Sequence, residues 1–118
     1  MYDIEIYEDK NGKSEIKEYI KELESKKHTS KHDKIKFAKI IGYIDLLAES
    51  GLKLKEPYIK KLNKNIWELR PLRDRILFAS WQHNKFILLS VFMKQTQKTP
   101  KSEIEKAKRF LKDYKDRS

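Results

Sequence analysis

Two nearly continuous apolar runs, Arg75–Trp81 and Phe86–Met93, flank the polar segment Gln82-His83-Asn84-Lys85. Turn-forming residues between two strand-like runs predict a β-hairpin. Neither run alternates, so neither strand has a face to give to water. Both are expected to be central strands, covered on both faces or by helices on one and a partner on the other. A chain of 118 residues has room for one such sheet and one modest core. It is too short for a Rossmann or TIM-barrel enzyme.

The flanking segments supply the other elements. In Tyr2–Tyr7, Tyr2, Ile4 and Ile6 alternate with Asp3 and Glu5, the period of a half-buried strand. Asp9–Gly12 reads as a turn. Ile16, Tyr19, Ile20 and Leu23 then fall at helical spacing. After a polar break at Lys26–Ser30, a second helix carries a broad stripe of Phe37, Ile40, Ile41, Ile44, Leu47 and Ala48. Gly51 is placed to stop it, and the short connection predicts an antiparallel helical hairpin.

Leu52–Asn65 holds Pro57 and the lysines Lys53, Lys55, Lys60, Lys61 and Lys64. It reads as a basic connection with a short strand or turn near Tyr58–Leu62. Ile66–Leu72 reads as a strand with Trp67 and Leu69 inward and Glu68 and Arg70 outward, and Pro71 confines it to an edge or ends it. Thr99 as N-cap and Pro100 at the first helical position open a last helix, with Glu103 in its first turn. Ile104, Ala107, Leu111 and Tyr114 form its apolar stripe, and 112–118 is expected to fray. The predicted order is β-α-α-β-β-β-α. This is an α+β fold over residues 1–118, with helices on one face of a small, mostly antiparallel sheet.

Composition narrows the chemistry. There are no cysteines, which excludes disulfides, zinc–cysteine sites and thiol catalysis. No apolar stretch approaches the roughly 20 residues that span a bilayer, and no signal peptide is visible, so a cytoplasmic protein is expected. No nucleophile elbow or glycine-rich phosphate loop is present. His28 and His32 lie four apart but lack a third ligand, and they read, like His83 in the hairpin turn, as exposed residues. Neither a metal nor a cofactor is expected.

The charge is one-sided. Residues 1–51 hold 10 Lys/Arg against 11 Asp/Glu, and residues 52–118 hold 18 against 7. A one-sided positive field attracts polyanions such as RNA or DNA. Two clusters concentrate it. Arg70, Arg73 and Arg75 lie within six residues, and guanidinium forks fit phosphate in two-point contact. Lys94-Gln95-Thr96-Gln97-Lys98-Thr99-Pro100-Lys101 leaves the last strand and runs into a helix N-terminus, a combination suited to a phosphate backbone.

The stretches Ile66-Trp67-Glu68-Leu69-Arg70, Arg75-Ile76-Leu77-Phe78, Phe92-Met93-Lys94-Gln95-Thr96-Gln97-Lys98-Thr99-Pro100 and Glu103-Ile104-Glu105-Lys106-Ala107 closely resemble the phage-derived, HigB-like branch of the RelE/ParE toxin superfamily. The resemblance spans about Tyr2 to Tyr114. It implies a RelE-like fold and a toxin of a type II toxin–antitoxin module. That toxin would be a ribosome-dependent endoribonuclease cleaving mRNA in the ribosomal A site. The implied partners are the ribosome with its mRNA and a cognate helix-turn-helix, HigA-like antitoxin, whose complex with the toxin binds operator DNA.

By position, Arg70 and Arg75 match the family's sheet arginines, and Lys94 matches a basic position at the end of the last core strand. Glu68 stands where some members have lysine. Metal-free cleavage would use the ribose 2′-OH as nucleophile. Arg70 and Arg75 would then stabilise the phosphorane, Lys94 would position phosphate or act as acid, and Glu68 would act as base. Arg73, Lys98, Lys101, Lys60 and Lys61 are candidate RNA-binding residues. Two alternatives remain open: a gyrase-directed, ParE-like toxin on the same fold, and a non-catalytic nucleic-acid-binding module stacking bases on Trp67 or Trp81.

Overall fold

A computed structural model describes residues 1–118. Its elements are β1 (Asp3–Ile6), α1 (Glu15–Lys26), α2 (Lys31–Ser50), a 3₁₀ turn (Gly51–Leu54), β2 (Ile59–Lys61), β3 (Trp67–Leu69), β4 (Asp74–Trp81), β5 (Lys85–Met93) and α3 (Lys101–Arg117). The sheet order is β1-β5-β4-β3-β2. β1 runs parallel to β5 and every other pairing is antiparallel. The α+β class and the mostly antiparallel sheet are as expected, and the architecture agrees with a RelE-like fold. The sheet has one strand more than the predicted order, because Ile59–Lys61 pairs with Trp67–Leu69 at the edge.

α1 and α2 start where a serine side chain can satisfy one of the first free N–H groups. Ser14 accepts from the Lys17 amide and Ser30 from the Asp33 amide, both at 3.2 Å. The α1–α2 hairpin covers one face of the sheet, where Ile16, Leu23, Ile40 and Leu47 meet Ile76, Phe78, Phe86 and Leu88. Along α2 the buried positions are Lys36, Ile40 and Leu47, while Ile41 turns to solvent.

The helices do not all lie on one face, as the sequence reading had them. α3 covers the opposite face, packing Ala107 and Leu111 on Leu77, Ala79, Ile87 and Leu89. That is why β4 and β5 are apolar without alternation: each strand feeds a core on both sides. A bulge opposite Leu77 and Phe78 inserts Leu89 into β5, and the buried Leu89 joins the α3-side core.

The last turns of α3 are tied down where fraying was expected. The Tyr7 hydroxyl donates to Asp113 at 2.6 Å. Arg117 donates to Asp113 at 2.7 Å and to the Glu8 carbonyl at 2.5 Å. Arg117, and then Tyr7, hold the Asp113 carboxyl below its ordinary range. Burial, and then the carboxylate, push the Tyr7 hydroxyl up to about 12.

A depressed carboxylate contributes stability above its unfolded value near 3.9 and loses it as pH falls through the lower folded value. A raised phenol contributes below its unfolded value near 10 and loses it as pH rises through the folded one. The clasp therefore works between these limits. Hydrogen exchange will show the 112–117 amides keeping steady protection relative to the sheet through neutral pH and losing it below about pH 4. Asp113→Asn will remove that pH dependence.

Gly51 closes α2 under a double constraint. Its φ is 59°, and a Cβ there would sit 2.6 Å from the Tyr2 ring of β1. Gly51→Ala will therefore destabilise by more than the roughly 1–2 kcal/mol of backbone strain alone, read from the denaturant midpoint.

Candidate functional site

The arginine segment folds around the turn from β3 to β4. The Asp74 amide donates to the Pro71 carbonyl at 3.1 Å, and Leu72 between them has φ 57° with its side chain half-exposed. A left-handed leucine costs about 1–2 kcal/mol and needs support from outside the turn. Arg75 provides it. Its Nη1 donates to the Leu72 carbonyl at 2.7 Å and to the Asp74 carbonyl at 2.9 Å, and the side chain is buried. Burial, and then repulsion from Arg70, lower the Arg75 pKa from its ordinary value.

Glu68 does not face outward to solvent. It is 2% exposed, on the face that α3 covers, because it pairs across β3 and β4 with Leu77. Its Oε1 lies 3.5 Å from Arg70 Nε and 3.9 Å from Arg75 Nε. Its Oε2 accepts from the Thr99 hydroxyl at 2.5 Å. Both oxygens are thus engaged inside the protein, an arrangement that orients guanidinium groups rather than one that removes a proton from a bound molecule.

Thr99 is consequently not the helix cap that the sequence suggests. Pro100 occupies the N-cap without a side-chain hydrogen bond, and the Thr99 hydroxyl is spent on Glu68. No local pattern links Thr99 to Glu68, since the contact crosses 31 positions.

The exposed part of the site lies beside this buried cluster. Arg73 Nη2 donates to the Lys94 carbonyl at 2.9 Å, and the Lys94 amide donates to the Arg73 carbonyl at 2.7 Å. These bonds clamp the start of β4 to the end of β5 and leave the Lys94 ammonium outside any ion pair. The loop that follows is pinned by the Thr96 hydroxyl donating to the Lys98 carbonyl at 2.8 Å, and it displays Lys98 and Lys101 to solvent. Lys60 lies opposite Glu68 on the edge strand and shares its face. Lys61 lies opposite Trp67 on the other face, its ammonium 5.5 Å over the indole ring, and does not join the cluster.

The start of β4 carries a second buried charge on its other face. Asp74 is 1% exposed. Its Oδ1 accepts from the Tyr19 hydroxyl at 2.7 Å and lies 3.5 Å from Lys36 Nζ. Desolvation, and then this bond, raise the Tyr19 pKa well above its ordinary value. Sequence reasoning missed this group. Its one local signal is that Lys36 stands four before Ile40, on the buried stripe of α2. Tyr114 is engaged away from the cluster, donating to Glu5 at 2.9 Å and standing edge-on to Trp81.

A family model described as phage derived protein Gp49-like (DUF891) matches residues 27–112. The chain belongs to the Gp49-like family. The matched span of this Gp49-like protein runs from the end of α1 into α3 and includes Glu68, Arg70, Arg73, Arg75, Lys94 and Thr99. No curated protein matches the chain. None of its helices is long and apolar enough to cross a membrane.

Removing Asp74 strands the Lys36 ammonium in the core. Asp74→Ala will cost about 3–5 kcal/mol in urea unfolding, and Tyr19→Phe about 1 kcal/mol. Combining Asp74→Leu with Lys36→Met will restore much of the loss, because a well-packed apolar pair replaces a buried ionic one.

Proposed function

We propose that the chain is the toxin of a type II toxin–antitoxin module and cleaves translated mRNA on the ribosome. The observation that carries this reading is the gathering of Arg70, Arg73, Arg75 and Lys94 at one end of the sheet, Arg70 and Arg75 facing the buried Glu68 carboxylate and Arg73 bonded to the Lys94 carbonyl. Two guanidinium groups facing one carboxylate leave excess positive charge, and Arg73 and Lys94 extend it to the surface. A phosphodiester supplies the missing negative charge.

In this mechanism the ribose 2′-oxygen gives its proton to solvent water and forms a bond to the adjacent phosphorus. The bond from phosphorus to the 5′-oxygen breaks, and that oxygen takes up a proton. The products are a 2′,3′-cyclic phosphate and a free 5′-hydroxyl. Arg73 and the outer edge of Arg70 bind the phosphate and stabilise the added charge of the phosphorane. Lys94 holds the phosphate or protonates the leaving oxygen. Glu68 orients Arg70, and Arg75 holds the turn, so both act as positioning residues. Alignment of the message by the ribosome supplies much of the rate. A helix-turn-helix antitoxin would hold the toxin inactive in the cytoplasm, and the pair would bind operator DNA.

The test is induced expression followed by primer extension on an abundant mRNA. The wild type will cut at in-frame positions, only in translated messages. Arg73→Ala and Lys94→Ala will each slow cutting about 100-fold, on the scale of losing one charge-stabilising donor, and Lys94→Ala, whose side chain takes no part in the clamp between β4 and β5, will leave antitoxin binding and the melting temperature unchanged. Arg75→Ala is the poorer probe because it also releases the Leu72 turn. Growth arrest with intact mRNA would overturn the assignment and direct the search to gyrase.

A further inference from the structure

A groove of about 500 Å³ lies at the opposite end of α3 from the arginine cluster. One wall is the β2–β3 turn, Asn63-Lys64-Asn65. There the Asn63 side-chain oxygen accepts from the Asn65 and Ile66 amides, at 2.9 and 2.8 Å, which fixes the turn with Lys64 exposed at its tip. The other wall is the α3 surface bearing Lys108, Lys112 and Lys115, with Leu111 between the walls.

The charges here are weakly satisfied. Lys108 pairs with Glu105 at 3.5 Å and Lys112 with Asp116 at 2.8 Å, both exposed intrahelical pairs. Such pairs contribute only tenths of a kcal/mol, so an incoming phosphate displaces them readily. Lys64 and Lys115 have no carboxylate within ion-pair distance, and the Lys115 ammonium lies 5.1 Å over the Trp81 ring.

The lysines of α3 lead from the loop after β5 toward the groove. Lys101, Lys108, Lys112 and Lys115 recur at helical spacing along one side of α3, broken only by Glu105. Fourteen residues at 1.5 Å rise carry this stripe about 21 Å. Along the axis Lys108 and Lys112 stand about 6 Å apart and Lys112 and Lys115 about 4.5 Å, on the scale of consecutive phosphates in a single strand, while Lys101 lies about 10.5 Å before Lys108. A line of lysines along one side of a helix, ending in a groove, fits a linear polyanion better than it fits a compact acidic protein surface.

We propose that this stripe and groove form a track for the backbone of single-stranded RNA, holding nucleotides several residues away from the bond at the arginine cluster. The proposal rests on RNA being the polymer held at that cluster, and it adds a second binding locus for the same strand. Lys64, Lys108, Lys112 and Lys115 bind phosphates there, and Asp116 opposes them.

The test is fluorescence anisotropy of a short labelled single-stranded RNA against purified protein over a range of salt. Lys64→Gln with Lys115→Gln removes two exposed contacts. It will weaken binding about tenfold near 0.1 M salt and flatten the slope of log K against log salt by about 1.4. Asp116→Asn will tighten binding, a change in the opposite sense that unfolding cannot mimic. Unchanged affinity and slope in both variants, or polyglutamate competing as well as unlabelled RNA, would overturn the track. Wild-type protein that binds RNA through the groove yet never cuts mRNA would sink the nuclease reading and leave the track standing. Cutting that persists while groove variants bind normally would do the reverse.

Discussion

An antiparallel strand pair that is apolar on both faces has to be covered twice, and the rest of this fold follows from that requirement. The β4–β5 hairpin is the element every helix packs against. The α1–α2 hairpin supplies one cover and α3 the other. Because α3 leaves β5 directly, its cover is reached through the short loop from Lys94 to Pro100. That loop is also where the basic residues lie. Burial of the hairpin therefore brings Thr99 over Glu68 and sets Lys94 beside Arg73.

The first two residues of β4 show how the covers are fastened. Asp74 and Arg75 point to opposite faces, as consecutive strand residues must. Asp74 is met by Tyr19 of α1 and Lys36 of α2, and Arg75 by Glu68 and the carbonyls of its own turn. Buried ions of this kind are weak contributors to net stability, because desolvation offsets most of the attraction. Their effect is geometric. Each demands particular partners, so the turn carrying Leu72 and Arg73 has one position relative to both helical layers. The strain of a left-handed leucine is tolerated because Arg75 holds its carbonyl.

What was legible in the sequence was local. The alternation of Tyr2, Ile4 and Ile6 and the spacing of Ile16, Tyr19, Ile20 and Leu23 each report a face of one element, and the structure buries those faces. The unbroken apolar character of β4 and β5 also announced two covers. Which helix supplied the second was not legible, because periodicity says which side of a helix is buried and nothing of what buries it. Glu68 shows the consequence. Alternation put it opposite Trp67 and Leu69, which is correct, and the outer face was read as wet, which it is not once α3 lies there. Thr99 was misread for a related reason: a hydroxyl before a helix has a local use as a cap, and only the tertiary fold reveals a stronger acceptor.

The division of charge along the chain has the same architectural origin. The near-neutral half builds β1 and the α1–α2 layer, and the basic half builds the remaining strands and α3. Positive charge is thereby gathered on the α3 side and at the end of the sheet, with two carboxylates, Glu68 and Asp74, withdrawn from solvent beneath it. A carboxylate left at the surface would neutralise a neighbouring arginine and repel a phosphate. A buried one still fixes the direction of Arg70 and Arg75 while the solvent-facing charges, Arg73 and Lys94, stay free of carboxylate partners. Burying the acid and exposing the base lets one turn be rigid and electropositive together, the combination that a site for a bound phosphodiester needs.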